Sequence, residues 1–124
     1  MKLLKKGRRR LIYDYGKNVL KVNRDKNLPD FNLQEWENWL KVKGTEFEKY
    51  FCPCIQYNPV KKTLVMVKGR KINWDNEKYY NIQVPLIFTD RKLTNFCLYE
   101  DRIVSIDYHK INLLQHEFIT INRR

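Results

Sequence analysis

The sequence predicts an α+β domain that is mainly β: an antiparallel meander or small barrel-like sheet, one or two short helices in about residues 32–51, and a basic tail in front. Three observations carry that expectation. From Pro59 onward, apolar and polar residues alternate with the period of two that a half-buried strand needs. Helical spacing is confined to NLQEWENWL and the short segment after it. The first ten residues, MKLLKKGRRR, hold six positive charges and no negative one.

Leu11-Ile12-Tyr13 and Val19-Leu20-Lys21-Val22 are β-prone runs on either side of Tyr15-Gly16-Lys17-Asn18. The Gly and Asn accept turn geometry, so a first hairpin is expected. Pro29-Asp30 breaks the chain. Asn32, with Glu35 three residues on, forms a capping pair for a helix whose apolar stripe is Leu33, Trp36, Trp39 and Leu40. Glu35, Glu37 and Asn38 are expected on its other faces. Gly44 stops the helix, and Thr45 caps a second short turn, EFEKYF, with Phe47 and Tyr50 or Phe51 on its apolar stripe.

In the second half Thr63–Val67 is a compact apolar strand, and Ile72 and Trp74 alternate with Lys71, Asn73 and Asp75. Tyr80, Ile82, Val84, Leu86 and Phe88 alternate with Tyr79, Asn81, Gln83, Pro85 and Ile87. Pro85 lacks an amide hydrogen, which suits an edge position or a bulge. Further strands are expected at Leu93–Tyr99, Arg102–Tyr108 and Glu117–Asn122. Turns fall at Lys68-Gly69-Arg70, Asp75-Asn76, Asp90-Arg91 and Glu100-Asp101. Strands at a spacing of roughly 8–12 residues with short turns are the pattern of a meander.

A chain of 124 residues with 43% apolar and 14% aromatic content builds one core. The expected organisation is a flexible basic arm over residues 1–10 and one β-rich domain over 11–124. The net charge of +11 is uneven. Residues 1–26 carry ten Lys/Arg against two acids, residues 27–58 three against five, and residues 59–124 twelve against seven. Such a field steers polyanions toward the N-terminal end and the later loops. The odd number of cysteines, Cys52, Cys54 and Cys97, does not suit a secreted disulfide scaffold and favours an intracellular location. No stretch has the uninterrupted apolar run of a signal peptide or a membrane span, so no membrane partner is expected.

The basic arm is the first candidate site. Lys and Arg bind phosphates by releasing condensed counterions, which gives affinity without sequence preference. Its plain alternative is a solvated terminus that aids solubility. Aromatics beside cations come second: Tyr13 and Tyr15 near Lys17, Trp74 near Lys71, Tyr79 and Tyr80 near Lys78, and Tyr108 near Lys110. Unpaired bases stack on exposed aromatic faces, and Tyr15 and Tyr79 are the best placed for that role. In strands such rings more often pack into the core.

Three weaker constellations compete. Cys52-Pro53-Cys54 with Cys97 and His109 or His116 offers four zinc ligands, although buried free thiols are far commoner. Asp75 with Asp90-Arg91-Lys92 loosely resembles a metal-dependent nuclease pattern, yet Asp90-Arg91 also makes an ordinary turn. His109 and His116, with Lys110 or Arg102, suit a metal-free ribonuclease or toxin only if local structure brings them together. There is no phosphate-binding glycine loop and no nucleophile elbow, and no motif calls for a cofactor.

The expected function is therefore largely sequence-nonspecific binding of DNA or RNA, without enzymatic activity. The contacts come from Lys5, Lys6, Arg8, Arg9 and Arg10, from Lys17, Lys68, Arg70 and Lys71 on loops, and from Tyr15 and Tyr79. The alternative is a viral or phage virion component whose arm touches the genome or a neighbouring subunit while its sheet edges join copies of itself or other structural proteins.

Overall fold

In the computed structural model, which describes residues 1–115 and 117–122, the chain opens with a three-stranded antiparallel meander: β1 (Leu3–Lys6), β2 (Arg10–Tyr15) and β3 (Asn18–Asn23). The expected hairpin is its second half. Tyr15 pairs with Asn18, and Gly16 takes φ +73° at the first of the two turn positions, a backbone conformation that glycine adopts without a Cβ clash. The first half departs from expectation. Residues 1–10 are not an unpaired arm, because Lys6 pairs with Leu11 and Leu3 with Tyr13. An extended strand spaces successive side chains on opposite faces, which dilutes the repulsion among Lys2, Lys5 and Lys6 while the ladder satisfies the backbone.

The meander continues through a long connection. Helix α1 (Phe31–Val42) follows, then β4 (Cys54–Asn58) and β5 (Thr63–Val67), giving an antiparallel sheet of order β1-β2-β3-β5-β4. Asp30, not Asn32, caps the helix, its carboxylate accepting from the Leu33 amide at 3.1 Å. Gly44, at φ +82°, ends it. The buried face is Phe31, Asn32, Glu35, Trp39 and Val42, while Leu40 is exposed. The helix thus turns two polar residues inward, rotated from the stripe its apolar residues predict.

The second half forms two smaller pairs. β6 (Asn81–Pro85) pairs with β9 (Phe118–Asn122), and β7 (Phe96–Tyr99) forms a hairpin with β8 (Arg102–Ser105). The Glu100-Asp101 turn has φ +50° and +61°, the two positive values of a type I′ turn. Residues 70–75 form no long strand, and Glu77–Tyr79 and Leu93–Asn95 are short 3-10 turns at the starts of the expected strands. The fold is α+β and mainly β, with its largest sheet in the first 67 residues rather than in the C-terminal half.

One core joins the three sheets. Leu64 and Met66 from β5, Val42 and Trp39 from α1, and Ile82, Val84 and Val104 from the C-terminal strands are buried around Phe51, Phe88 and Tyr108. Phe51 packs at 4.8 Å, centroid to centroid, against both Phe88 and Tyr108. Each such ring fully removed from water contributes roughly 1.5–3 kcal/mol. The three cysteines lie in this core as free thiols. Gly69 passes so close that a Cβ there would sit 2.1 Å from the Cys97 Sγ.

Candidate functional site

The cations of the first 24 residues divide into a buried set and an exposed set. Arg10 and Lys21, neighbours across β2 and β3, point to the inner face of the sheet, where they are 7% and 3% exposed. Both meet Glu35 of α1, which is 0% exposed. Arg10 Nη1 lies 3.0 Å from Oε1 and Nη2 3.3 Å from Oε2, and Lys21 Nζ donates to Oε1. Arg10 also reaches Asp107 at 2.8 Å and Asn32 at 3.2 Å, while the Tyr108 amide donates to Glu35 Oε2 at 2.6 Å. Burial pushes the Glu35 carboxyl up, but the charges of Arg10 and Lys21 outweigh it and hold it below the ordinary range. Arg10 is therefore a structural ion and is withdrawn from the predicted phosphate contacts. An arginine in the interior needs its donors filled, and a buried carboxylate fills two at once.

At the rim of this network the His109 Nδ1 lies 3.0 Å from Asp107 Oδ1, and Arg9 Nη1 lies 3.2 Å from His109 Nε2. Because a guanidinium only donates, Nε2 accepts and Nδ1–H donates to Asp107. Arg9 also stands 5.0 Å from the Phe31 ring centre. It is exposed yet already engaged. The ligating atoms of Glu35, Asp107 and His109 lie within 4.8 Å of one another, but Arg10 and Lys21 supply the positive charge at that point. The group is a balanced salt network between the N-terminal sheet and the segment after β8.

The exposed set is different. Lys2, Lys5, Lys6, Arg8 and Lys17 are exposed, and none belongs to an ion pair among the described residues. The only acid in residues 1–24 is Asp14, which pairs with Lys68. Lys68 lies beside the β2–β3 turn, its amide donating to the Lys17 carbonyl at 3.1 Å. Tyr15, at the same turn, is 50% exposed. The structure thus brings Tyr15, Lys17 and Lys68 together at one end of the large sheet, with Lys5 and Lys6 on its β1 edge. Arg70 instead pairs with Asp101 at 3.0 Å, and Lys71 is exposed beyond it.

Tyr79 belongs to a second location. A groove of about 460 Å³ is lined by Lys49 and Tyr50, by Lys78 and Tyr79, and by Gln83, Asp101 and Arg102 over an apolar floor of Leu98 and Ile103. Tyr50 and Lys49 are residues that charge runs and strand patterns do not single out. The available signal was a repeated tripeptide: Glu48-Lys49-Tyr50 and Glu77-Lys78-Tyr79 have the same sequence and both fold as 3-10 turns.

Cys54 Sγ lies 3.1 Å from the Tyr108 hydroxyl, Cys52 Sγ donates to the Val67 carbonyl, and burial pushes the Cys54 thiol up to about 12. No cysteine joins a metal-ligating cluster among the described residues. Asp90 accepts from the Lys92 amide at 3.2 Å, an Asx turn. The His109–His116 pairing lies outside the described residues. Among the described residues no helix is long and apolar enough to cross a membrane.

No protein-family model matches this chain, and no curated protein and no solved structure matches it. Its class therefore rests on fold and charge: a basic, mainly β α+β protein whose β1 edge carries Lys5 and Lys6, in no ion pair among the described residues.

Proposed function

We propose that the protein binds nucleic acid, DNA or RNA, through the phosphate backbone and largely without sequence preference. The observation that carries the reading is the set of five exposed cations, Lys2, Lys5, Lys6, Arg8 and Lys17, that form no ion pair among the described residues. Lys5 and Lys6 sit on the paired strand β1, Lys2 and Arg8 flank it and Lys17 lies in the β2–β3 turn, so phosphate contact orders less backbone than a flexible tail would. Lys71 extends the field, with Arg9 engaged by His109 and Phe31 and with Lys68 and Arg70 nearby in ion pairs with Asp14 and Asp101, while Tyr15 offers a ring to a base. The reading assigns no reaction and no cofactor, and it places the protein inside the cell or a virion, where nucleic acid is.

A gel-shift series at rising salt tests it. Five neutralised phosphates give a slope of about −4 in log K against log salt. A flat response, or no binding at low salt, overturns the proposal.

A second reading, a virion or assembly component, draws on the sheet's outer face. Cross-strand pairing aligns Leu3, Tyr13, Leu20 and Val65 in one row and Leu11 with Val22 in the next. These residues are half-buried or exposed, while α1 packs against the opposite face through Glu35. An uncovered apolar sheet face suits a neighbouring subunit. Size-exclusion chromatography with light scattering, with and without oligonucleotide, separates the two: a monomer that shifts only with oligonucleotide supports the binder, and self-assembly alone supports the component.

A further inference from the structure

We infer that the groove between the two Glu-Lys-Tyr turns holds an unpaired base and its flanking phosphates, so that the preferred partner is single-stranded nucleic acid. This deepens the proposed function and rests on it. Lys49 Nζ lies 5.4 Å from the Tyr50 ring centre and Lys78 Nζ 5.1 Å from that of Tyr79, so each turn presents a ring with a cation above it. Each ring packs edge-on against a second aromatic: Tyr50 against Phe118 at 5.4 Å, and Tyr79 against Trp74 at 6.0 Å. Fixed rings lose little freedom when a base stacks on them.

The charges around the groove fit the same ligand. Arg102 is positioned by Glu100 at 3.1 Å and by the Lys49 carbonyl at 3.3 Å. The acid that lines the groove, Asp101, is neutralised by Arg70 at 3.0 Å. Lys49 and Lys78 belong to no ion pair among the described residues, which leaves them for phosphates on either side of a stacked base. Exposed Gln83 on β6 supplies donor and acceptor atoms that serve any base edge. The volume of about 460 Å³ is within the range of small-ligand clefts. A base in a duplex is paired and stacked and cannot enter, so the groove discriminates strandedness rather than sequence.

The test is fluorescence anisotropy with a labelled fifteen-nucleotide oligo-dT and a labelled fifteen-base-pair duplex. The wild type, Tyr50→Ala/Tyr79→Ala and Tyr50→Phe/Tyr79→Phe are compared, and thermal melts check the fold of each. The alanine pair is expected to bind oligo-dT at least about tenfold more weakly and the duplex unchanged, with the phenylalanine pair near wild type. If the alanine pair binds oligo-dT as tightly as wild type, or loses both ligands equally while still melting normally, the groove assignment falls and the basic sheet edge stands. If wild type binds neither ligand at low salt, both fall. Should the alanine pair not fold, Lys49→Gln/Lys78→Gln replaces it: oligo-dT weakened more than duplex supports the assignment, and equal losses overturn it.

Discussion

Arg10 and Glu35 meet inside the fold as a two-pronged pair, guanidinium nitrogens 3.0 and 3.3 Å from the two carboxylate oxygens, with neither side chain more than 7% exposed. The pair converts one member of the cationic N-terminal run into the joint between β2 and α1. It also requires Lys21 and Asp107, so that two cations and two carboxylates balance.

Removing one partner of this network leaves an uncompensated buried charge. Glu35→Ala is expected to destabilise by about 3–5 kcal/mol, and Arg10→Ala by a similar amount. Urea denaturation followed by circular dichroism measures both. A loss below about 1 kcal/mol for either would mean the network carries no structural weight.

The same carboxylates set the acid limit of the fold. Burial raises the Asp107 carboxyl, but the hydrogen bond from His109 and the charge of Arg10 hold it well below the ordinary range, and the charges of Arg10 and Lys21 likewise depress Glu35 against its burial. A carboxyl that is depressed when folded and ordinary, at about 4, when unfolded stabilises fully above that value, and the contribution is lost as pH falls toward the folded value. Tm should therefore be level near neutrality and drop below about pH 4.5. Asp107→Asn should flatten that drop, and an unchanged acid profile in this variant would count against the assignment.

Binding should distinguish the exposed cations from the buried one. Lys5→Ala/Lys6→Ala/Arg8→Ala is expected to reduce the salt slope by about 2–3 and to weaken binding to unrelated sequences by similar factors. Their melting temperature should barely move, since these side chains form no ion pair among the described residues. Anisotropy at several salt concentrations, alongside a melt, gives both readings.

Gly69→Ala places a methyl 2.1 Å from the Cys97 sulfur and 3.0 Å from the Leu98 carbonyl. The expected cost is about 1–3 kcal/mol. Cys97→Ala in the same chain removes the sulfur and should restore part of it, a coupling that chemical denaturation of the four variants of the cycle measures.

The order of legibility follows the physics of each segment. Thr63–Val67 is read directly because a short β-branched run with one buried face has few other ways to fold. The β2–β3 hairpin is legible from its glycine turn. The helix is legible in extent but not in orientation, because Asn32 and Glu35 look outward-facing until Arg10, Lys21 and the Lys21 and Lys62 carbonyls arrive to satisfy them. β1 is hidden by its own charge, and β4, with Cys54 and Tyr57 inward but Ile55 and Gln56 exposed, has a bulge that breaks the alternation. Of the candidate residues, Lys5, Lys6, Arg8, Tyr15 and Lys17 are exposed, the default for Lys and Arg side chains. Arg10 was misread for the same reason, and the Tyr50 side of the groove depends on two turns that meet only in three dimensions.

The Arg10–Asp107 contact spans 97 residues and the Lys21–Ile106 carbonyl bond 85. The opening meander is local and quick to assemble, yet two of its inward cations stay half-coordinated until the segment around 106–109 is made. A nascent chain stopped before that point would carry a formed β2–β3 hairpin with an unfinished interior. The last quarter of the polypeptide therefore acts as the latch on the first.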